Sequence, residues 1–243
     1  MVVYAASVLS LFAHDPLSDL EVILVIAGAQ ILQVYAKYRA FHWFGLADTV
    51  RRMHQMEDGL GVKPASLKLS EAEAAVGICD APSDPGYWFT KLPVSPRRLV
   101  EMIEESAFYT ADLSERSGNI LRVFALCGIA LCVVSLVIAT RLGVVGTAGE
   151  ITSHIVVASL AFFLAGDLLI MSSQYFDLRN AARSTLQDAR NLLSKSDVSR
   201  EETTSFAMEY NSAVAQAPPV SSFIYNRNRT RLEKLFSSFK KAG

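Results

Sequence analysis

The chain has 243 residues, of which 51% are hydrophobic, and its formal net charge is −1. This near-neutral balance gives no general attraction to polyanions, and we expect no direct nucleic-acid partner. Its three cysteines form no framework of the kind that staples small secreted domains, which favours reduced thiols in a reducing compartment.

The amino-terminal segment 1–13 is apolar but short. A thirteen-residue helix rises only about 20 Å, less than the ~30 Å hydrocarbon core of a bilayer. A polar turn, HDPLSD, precedes the uncharged stretch 22–36, VILVIAGAQILQVYA. A signal peptide would have a similar length, but the basic leading region is missing. We interpret residues 1–39 as a first transmembrane hairpin whose first helix is short or truncated.

Residues 40–120 are predicted to form a helical cytoplasmic region. The stripe of apolar residues after 40 continues as a helix until Gly59 and Gly61 end it. A short helix is expected at 69–80, followed by a proline-rich loop over 81–96. Pro96 then opens a helix that leads into the next apolar run.

The strongest apolar signal is a pair of runs in residues 121–176. Eighteen uncharged residues, VFALCGIALCVVSLVIAT, lie between Arg122 and Arg141, and a second run follows after a nine-residue link. Each run has the length of a membrane-spanning helix, so we interpret 121–176 as a second transmembrane hairpin. The alternative is a buried core hairpin of a helical protein, although such helices usually keep a polar stripe.

Basic residues flank the inner ends of both predicted hairpins, whereas the turns are mostly acidic. Because Lys and Arg accumulate on the cytoplasmic side, both turns are expected outside and the remaining segments inside. The sequence therefore predicts an all-α, multi-pass membrane protein with four transmembrane helices in two hairpins and a helical cytoplasmic domain.

Residues 177–243 are predicted to form the carboxy-terminal cytoplasmic helices. Ser199 and Glu202 have the spacing of a capping box, Pro218-Pro219 break the helix that they start, and a basic helix ends the chain. Residues 40–120 contain 8 Lys+Arg against 12 Asp+Glu, or −4, and residues 177–243 contain 11 against 7, or +4. Opposite charges favour packing of the two segments on each other; a basic tail on anionic lipid is the alternative.

Sequence motifs for catalysis, phosphate loops or metal sites are missing. We therefore expect no catalytic residues, no metal and no enzymatic activity. Three polar residues lie within the predicted spans, Gln30, Gln33 and Asp167. Polar groups at membrane depth often face a pore or a partner helix, so these three are the candidate pore residues.

Three stretches of the chain carry a resemblance to a known family: GYWFTKLPVSPRRLVEMIEESAFYTADLSERSG from Gly86, the apolar pair after it, and YNSAVAQAPPVSSFIYNRNRTRLEKLF from Tyr210. Their order resembles the SMODS-associated four-transmembrane effectors of bacterial, CBASS-type anti-phage systems. The matching positions are Trp88, Leu92, Pro93, Glu105, Phe108, Asp112, Pro219, Phe223, Tyr225, Arg229 and Asp48. A Gln-Arg-type pair of the family is replaced by Glu104 and Glu105.

The resemblance implies an effector that a nucleotide second messenger activates to permeabilise the inner membrane and abort infection. It also implies a cyclic oligonucleotide ligand, a homo-oligomer in the lipid bilayer and a functional link to a nucleotidyltransferase. The candidate ligand residues are aromatic for base stacking and basic for phosphate: Trp88, Tyr225, Arg97, Arg98, Arg227, Arg229 and Arg231. The alternatives are a constitutive oligomeric channel or transporter subunit and a membrane scaffold.

Overall fold

Helices make up all the regular secondary structure that this computed structural model describes, which covers residues 16–63, 88–141 and 148–242. The five helices are α1 (Pro16–Leu60), α2 (Pro96–Arg141), α3 (Ala148–Leu193), α4 (Arg200–Gln216) and α5 (Ser222–Ala242). The predicted all-helical content is confirmed over these ranges. The apolar segment 1–13 and the helix predicted at 69–80 lie outside them.

The predicted four transmembrane helices are wrong. Within the described ranges, no helix combines the length and the apolar character that a membrane crossing requires. The uncharged runs belong to helices of 45 or 46 residues that also carry charged side chains. The prediction of a multi-pass inner-membrane protein is wrong for the same reason.

The chain divides into two compact units. One comprises Met1–Ala40 and Asn119–Ser172, and the other comprises Phe41–Gly118 and Ser173–Gly243. The described part of the first unit exposes large apolar side chains, among them Val34 and Phe124. The second unit contains the hydrophobic core and the charged residues that join its helices.

The core of the second unit is built on one face of α2. Leu99, Ile103, Ala107 and Ala111 recur every four residues, which places them along one stripe of the helix. They belong to one buried cluster with residues of the other helices: Leu60, Ala182, Ala189, Phe206, Ala207 and Tyr210. Alanines on both α2 and α3 let these helices approach closely, which fixes the positions of the side chains beside the core.

Two glycines shape the end of α1, as the sequence predicts. Gly61 has φ of +67° and donates its N–H to the carbonyl of Glu57 at 2.8 Å, which is the left-handed stop typical of glycine. A Cβ on Gly59 would lie 2.8 Å from the Cβ of Leu99. The second glycine therefore permits the close approach of α1 to the first turn of α2.

The other helix ends follow local sequence signals. The Ser95 hydroxyl accepts from the N–H of Arg98 at 3.2 Å, with Pro96 as the first residue of α2. At the start of α4, Ser199 and Glu202 form the predicted capping box. The helix ends at Gln216, where the chain turns extended before Pro218.

Ion pairs join α2 to the basic helices, and they confirm the predicted packing of the two oppositely charged segments. Glu115 pairs with Arg183 of α3 at 2.9 Å and with Arg179 at 3.4 Å. From α5, Arg231 pairs with Asp112, and Lys240 pairs with the buried Glu104.

Candidate ligand-binding site

A cavity of about 500 Å³ lies in the second unit, between α1, α2 and α5. This volume is within the ~300–1,000 Å³ range of small-molecule sites. The segment before α2 and the link between α4 and α5 complete its walls. The lining residues are Phe44, Asp48, Arg51, Trp88, Phe89, Glu105, Ser106, Tyr109, Thr110, Leu113, Leu178, Val214, Pro218, Val220, Tyr225, Arg229, Leu232, Glu233 and Ser237.

Five aromatic side chains give the cavity flat apolar surfaces: Phe44, Trp88, Phe89, Tyr109 and Tyr225. Burial, aided by the charge of Glu105, raises the pKa of Tyr109 to about 12, so its hydroxyl stays protonated at neutral pH. Planar side chains with polar edges can stack on a ring while they hydrogen-bond to its substituents.

Among the described lining residues are two arginines, and each is paired with a carboxylate on its own helix. Arg51 donates to Asp48 Oδ1 through Nη2 at 2.8 Å, and Arg52 donates to the other oxygen of Asp48. Arg229 donates to Glu233 at 2.8 Å. These are one-turn pairs, and the one on α5 is half exposed, so a competing anion with better geometry can replace its carboxylate.

Glu105 is the most buried carboxylate of the cavity, with 6% of its surface exposed. Its Oε2 accepts the backbone N–H of Phe89 at 2.9 Å, which fixes the segment before α2 against this helix. Burial raises the pKa of Glu105, while the Phe89 hydrogen bond and the positive charge of Lys240 oppose that rise.

Three hydroxyl groups form a network at the cavity wall. The Tyr210 hydroxyl lies 2.9 Å from Ser106 Oγ and 2.9 Å from Thr110 Oγ1. Arg51 Nη1 reaches Ser106 Oγ at 3.5 Å. Tyr210 is fully buried on α4, and burial raises the pKa of its hydroxyl. The network therefore connects two cavity-lining residues of α2 to the interior of α4.

An aromatic cluster holds α5 beside the cavity. Phe236 is buried, and its ring centroid lies 5.3 to 5.9 Å from those of four neighbours: Phe89, Phe108, Tyr109 and Phe239. Arg190 of α3 lies over the ring of Phe239, 4.3 Å from its centroid. The cluster and the ion pairs of α5 thus fix the helix that carries Tyr225 and Arg229.

Three of the seven predicted ligand residues line the cavity together: Trp88, Tyr225 and Arg229. Sequence separation between the first and the others exceeds one hundred residues, and the fold brings them to one place. Their role in ligand binding stays a prediction.

The four other predicted ligand residues lie away from the cavity lining. Arg97 donates to the carbonyl of Leu193 at 3.0 Å, where it caps the end of α3. Arg98 donates to a carbonyl in the loop before α2, and Arg231 pairs with an acid of that helix. Arg227 is exposed on α5. The first three of these arginines have structural partners.

The choice of the three candidate pore residues rests on their position within predicted membrane spans, and the prediction of those spans is wrong. Asp167 lies in α3 with an exposed side chain. Gln30 and Gln33 lie within α1, and the structure describes their backbone but not their side chains.

The sequence did not single out Arg51, Tyr109 and Glu233 as ligand residues, and it named Asp48 and Glu105 only for their family positions. A helical spacing signal was available for two pairs, since Glu105 and Tyr109, like Arg229 and Glu233, are four residues apart and share a helix face. Which faces meet depends on packing between helices, so the cavity itself had no sequence signature.

In the described ranges, no three His, Cys, Asp or Glu residues form a group that could hold a metal ion. Comparison with protein-family models, with curated proteins and with solved structures found no significant match to this chain.

Proposed function

We propose that the unit of residues 41–118 and 173–243 is the sensing module of an effector in a bacterial anti-phage signalling system, and that its cavity binds a cyclic nucleotide second messenger. One observation carries the proposal: a cavity of about 500 Å³ combines Trp88 and Tyr225 with Arg229. The family resemblance supplies the biological context.

The aromatic surfaces suit the bases of such a ligand. Stacking of a base on an aromatic side chain contributes about 1–3 kcal/mol per base. Trp88 and Tyr225 come from the two separate sequence segments of the unit, and both line a cavity whose volume is large enough for a base.

The arginines suit its phosphates. A phosphodiester offers two oxygens to a guanidinium in the geometry that a carboxylate also uses. Binding would therefore exchange the Glu233 partner of Arg229 for phosphate oxygens, and the freed carboxylate is exposed enough to be solvated by water.

The hydroxyl network supports a route from the cavity to α4. A ligand that engages Arg51 or Ser106 alters the hydrogen bonds around the buried Tyr210 hydroxyl. A ligand shifts a conformational equilibrium only if it binds one state better than the other. Ligand contacts that form in only one arrangement of these hydroxyl groups would supply that difference in affinity.

Titration calorimetry of the full-length protein with a panel of cyclic di- and trinucleotides tests the proposal. We expect one class to bind, and Trp88→Ala to weaken binding roughly tenfold or more, as loss of one stacking contact implies. We also expect Arg229→Ala to weaken binding roughly tenfold or more, because a hydrogen bond to a charged group is lost.

Arg227→Ala is the matched control, since Arg227 lies on the same helix but outside the cavity lining. Its affinity should stay within about twofold of the wild type, as expected for a surface change. Equal losses of affinity in Arg229→Ala and Arg227→Ala would mean that the total positive charge of α5, and not a contact in the cavity, determines binding. No binding of any cyclic nucleotide would refute the proposal.

A further inference from the structure

Glu105 carries an unused hydrogen-bonding capacity at the cavity wall. Its Oε2 accepts from the N–H of Phe89. Its other carboxylate oxygen, Oε1, has no hydrogen-bond partner among the described residues, although the side chain is 94% removed from solvent. Because Glu105 lines the cavity, this oxygen is a candidate contact for a bound molecule.

The cations around the cavity are committed to other carboxylates. Arg51 pairs with Asp48, Arg229 pairs with Glu233, and Lys240 pairs with Glu104. Lys240 influences Glu105 only through its charge. Among the residues that the structure describes, Glu105 has no ion-pair partner, which favours a ligand group that donates hydrogen bonds at this position.

Two aromatic residues of the cavity lie close to Glu105, one along its own helix and one through its hydrogen bond to Phe89. Tyr109 follows it by one helical turn and lines the same cavity. Trp88 is adjacent to Phe89, the residue whose N–H binds Glu105. Because the hydrogen-bond donors of a base lie in the plane of its ring, a base stacked in this cavity would meet the carboxylate through its edge.

We infer that Glu105 accepts hydrogen bonds from the edge of the ligand's base, and that the cavity selects guanine over adenine. The inference rests on the proposed function. Guanine presents N1–H and the 2-amino group side by side, and a carboxylate accepts both. Adenine presents the N1 lone pair beside its amino group, so the carboxylate meets one donor and one repelling acceptor.

Binding of cyclic di-GMP and cyclic di-AMP to the full-length protein measures this preference, because the two ligands differ only in their bases. We expect cyclic di-GMP to bind roughly tenfold or more tightly, since a site built on paired hydrogen bonds rejects a base that cannot form them. Cyclic di-IMP keeps N1–H but lacks the amino group, so its affinity should fall between the two.

Glu105→Gln keeps the size of the side chain and adds an amide donor. We expect the guanine preference to disappear in this variant, with tighter binding of cyclic di-AMP than in the wild type. Glu233→Gln is the control, because Glu233 lines the same cavity but is half exposed and paired with Arg229. It should keep the preference.

The outcomes separate this inference from the proposed function. Cyclic dinucleotides that bind without a base preference, or a preference that survives in Glu105→Gln, would overturn the inference and leave the sensing role intact. If the Gln variant does not fold, the order of the three ligands on the wild type decides the question. Absence of binding by every cyclic nucleotide would overturn both.

Discussion

At the scale of single residues, Tyr210 is a core side chain that also carries a polar group into the interior. Its hydroxyl lies within hydrogen-bond distance of the hydroxyls of Ser106 and Thr110. Those two residues also line the cavity, where water or a ligand can reach them. The tyrosine is only 2% exposed, so its hydroxyl depends on its two protein partners.

Tyr210→Phe is therefore expected to lower the free energy of unfolding by about 1–2 kcal/mol, the value of the lost hydrogen bonds with little change in packing. Urea denaturation followed by circular dichroism measures it. Tyr35→Phe, at a position with 59% exposure, should change the stability by less than about 0.5 kcal/mol. Equal stability of the Tyr210 variant and the wild type would contradict the network.

The raised pKa of Glu105 predicts a pH dependence of stability. Between its ordinary pKa of 4.5 and the raised value, the folded chain binds this proton more readily than the unfolded chain. Stability from this group is therefore present at low pH and is lost as pH rises through the folded-state pKa. The ionisable groups around the cavity are Asp48, Arg51, Tyr109, Tyr225, Arg229, Glu233 and, through its charge, Lys240.

Glu105→Gln removes this penalty and keeps an oxygen for the N–H of Phe89. We expect the variant to gain stability over the wild type as pH rises above about 4.5, and the gain to level off once the native carboxylate is ionised. Urea denaturation at a series of pH values from about 4.5 upwards measures this gain in the free energy of unfolding, with Glu233→Gln as the comparison. A gain that is constant with pH would show that ionisation of Glu105 is not the cause.

At the scale of the elements, α5 depends on one aromatic anchor. Phe236 is 1% exposed and contacts aromatic rings from the segment before α2, from α2 itself and from its own helix. Phe236→Ala leaves a cavity of one ring and should lower the free energy of unfolding by about 3–5 kcal/mol.

Phe223→Ala is the matched control, because this ring lies on the same helix and is 68% exposed. Its effect should stay below about 0.5 kcal/mol. Amide hydrogen exchange adds a local measurement: α5 should lose protection in the Phe236 variant before the other helices do. Comparable losses from both substitutions would mean that burial does not distinguish the two faces of α5.

The sequence predicted the element ends well because their causes are local. Gly61, Pro96 and Ser199 act within one turn of the helices that they end or begin. The cavity escaped prediction because it needs the relative placement of α1, α2 and α5, which no spacing encodes. Of the arginines in one candidate set, packing directs Arg229 to the cavity and Arg97 to a helix end.

At the scale of the whole molecule, a net charge of −1 conceals two segments of opposite sign. The structure resolves this asymmetry into specific contacts. Glu115 forms ion pairs with two arginines of α3, and Asp112 forms one with an arginine of α5. These pairs are partly exposed, whereas Glu104, which pairs with Lys240, is buried. The exposed pairs are the ones that salt can screen.

The charge complementarity predicts a melting temperature that falls as NaCl rises from about 0.01 M to about 1 M, over which the Debye length shrinks from ~30 Å to ~3 Å. Exposed pairs contribute about 0–1 kcal/mol each, so their combined screening corresponds to a decrease of roughly 2–4 °C per kcal/mol lost. Glu115→Gln removes two pairs and should flatten this dependence relative to the wild type, whereas Glu201→Gln, at an exposed position of α4, should preserve it. Parallel salt curves for the wild type and Glu115→Gln would mean that burial of the stripe on α2, and not attraction between the two charged segments, holds the helices of this unit together.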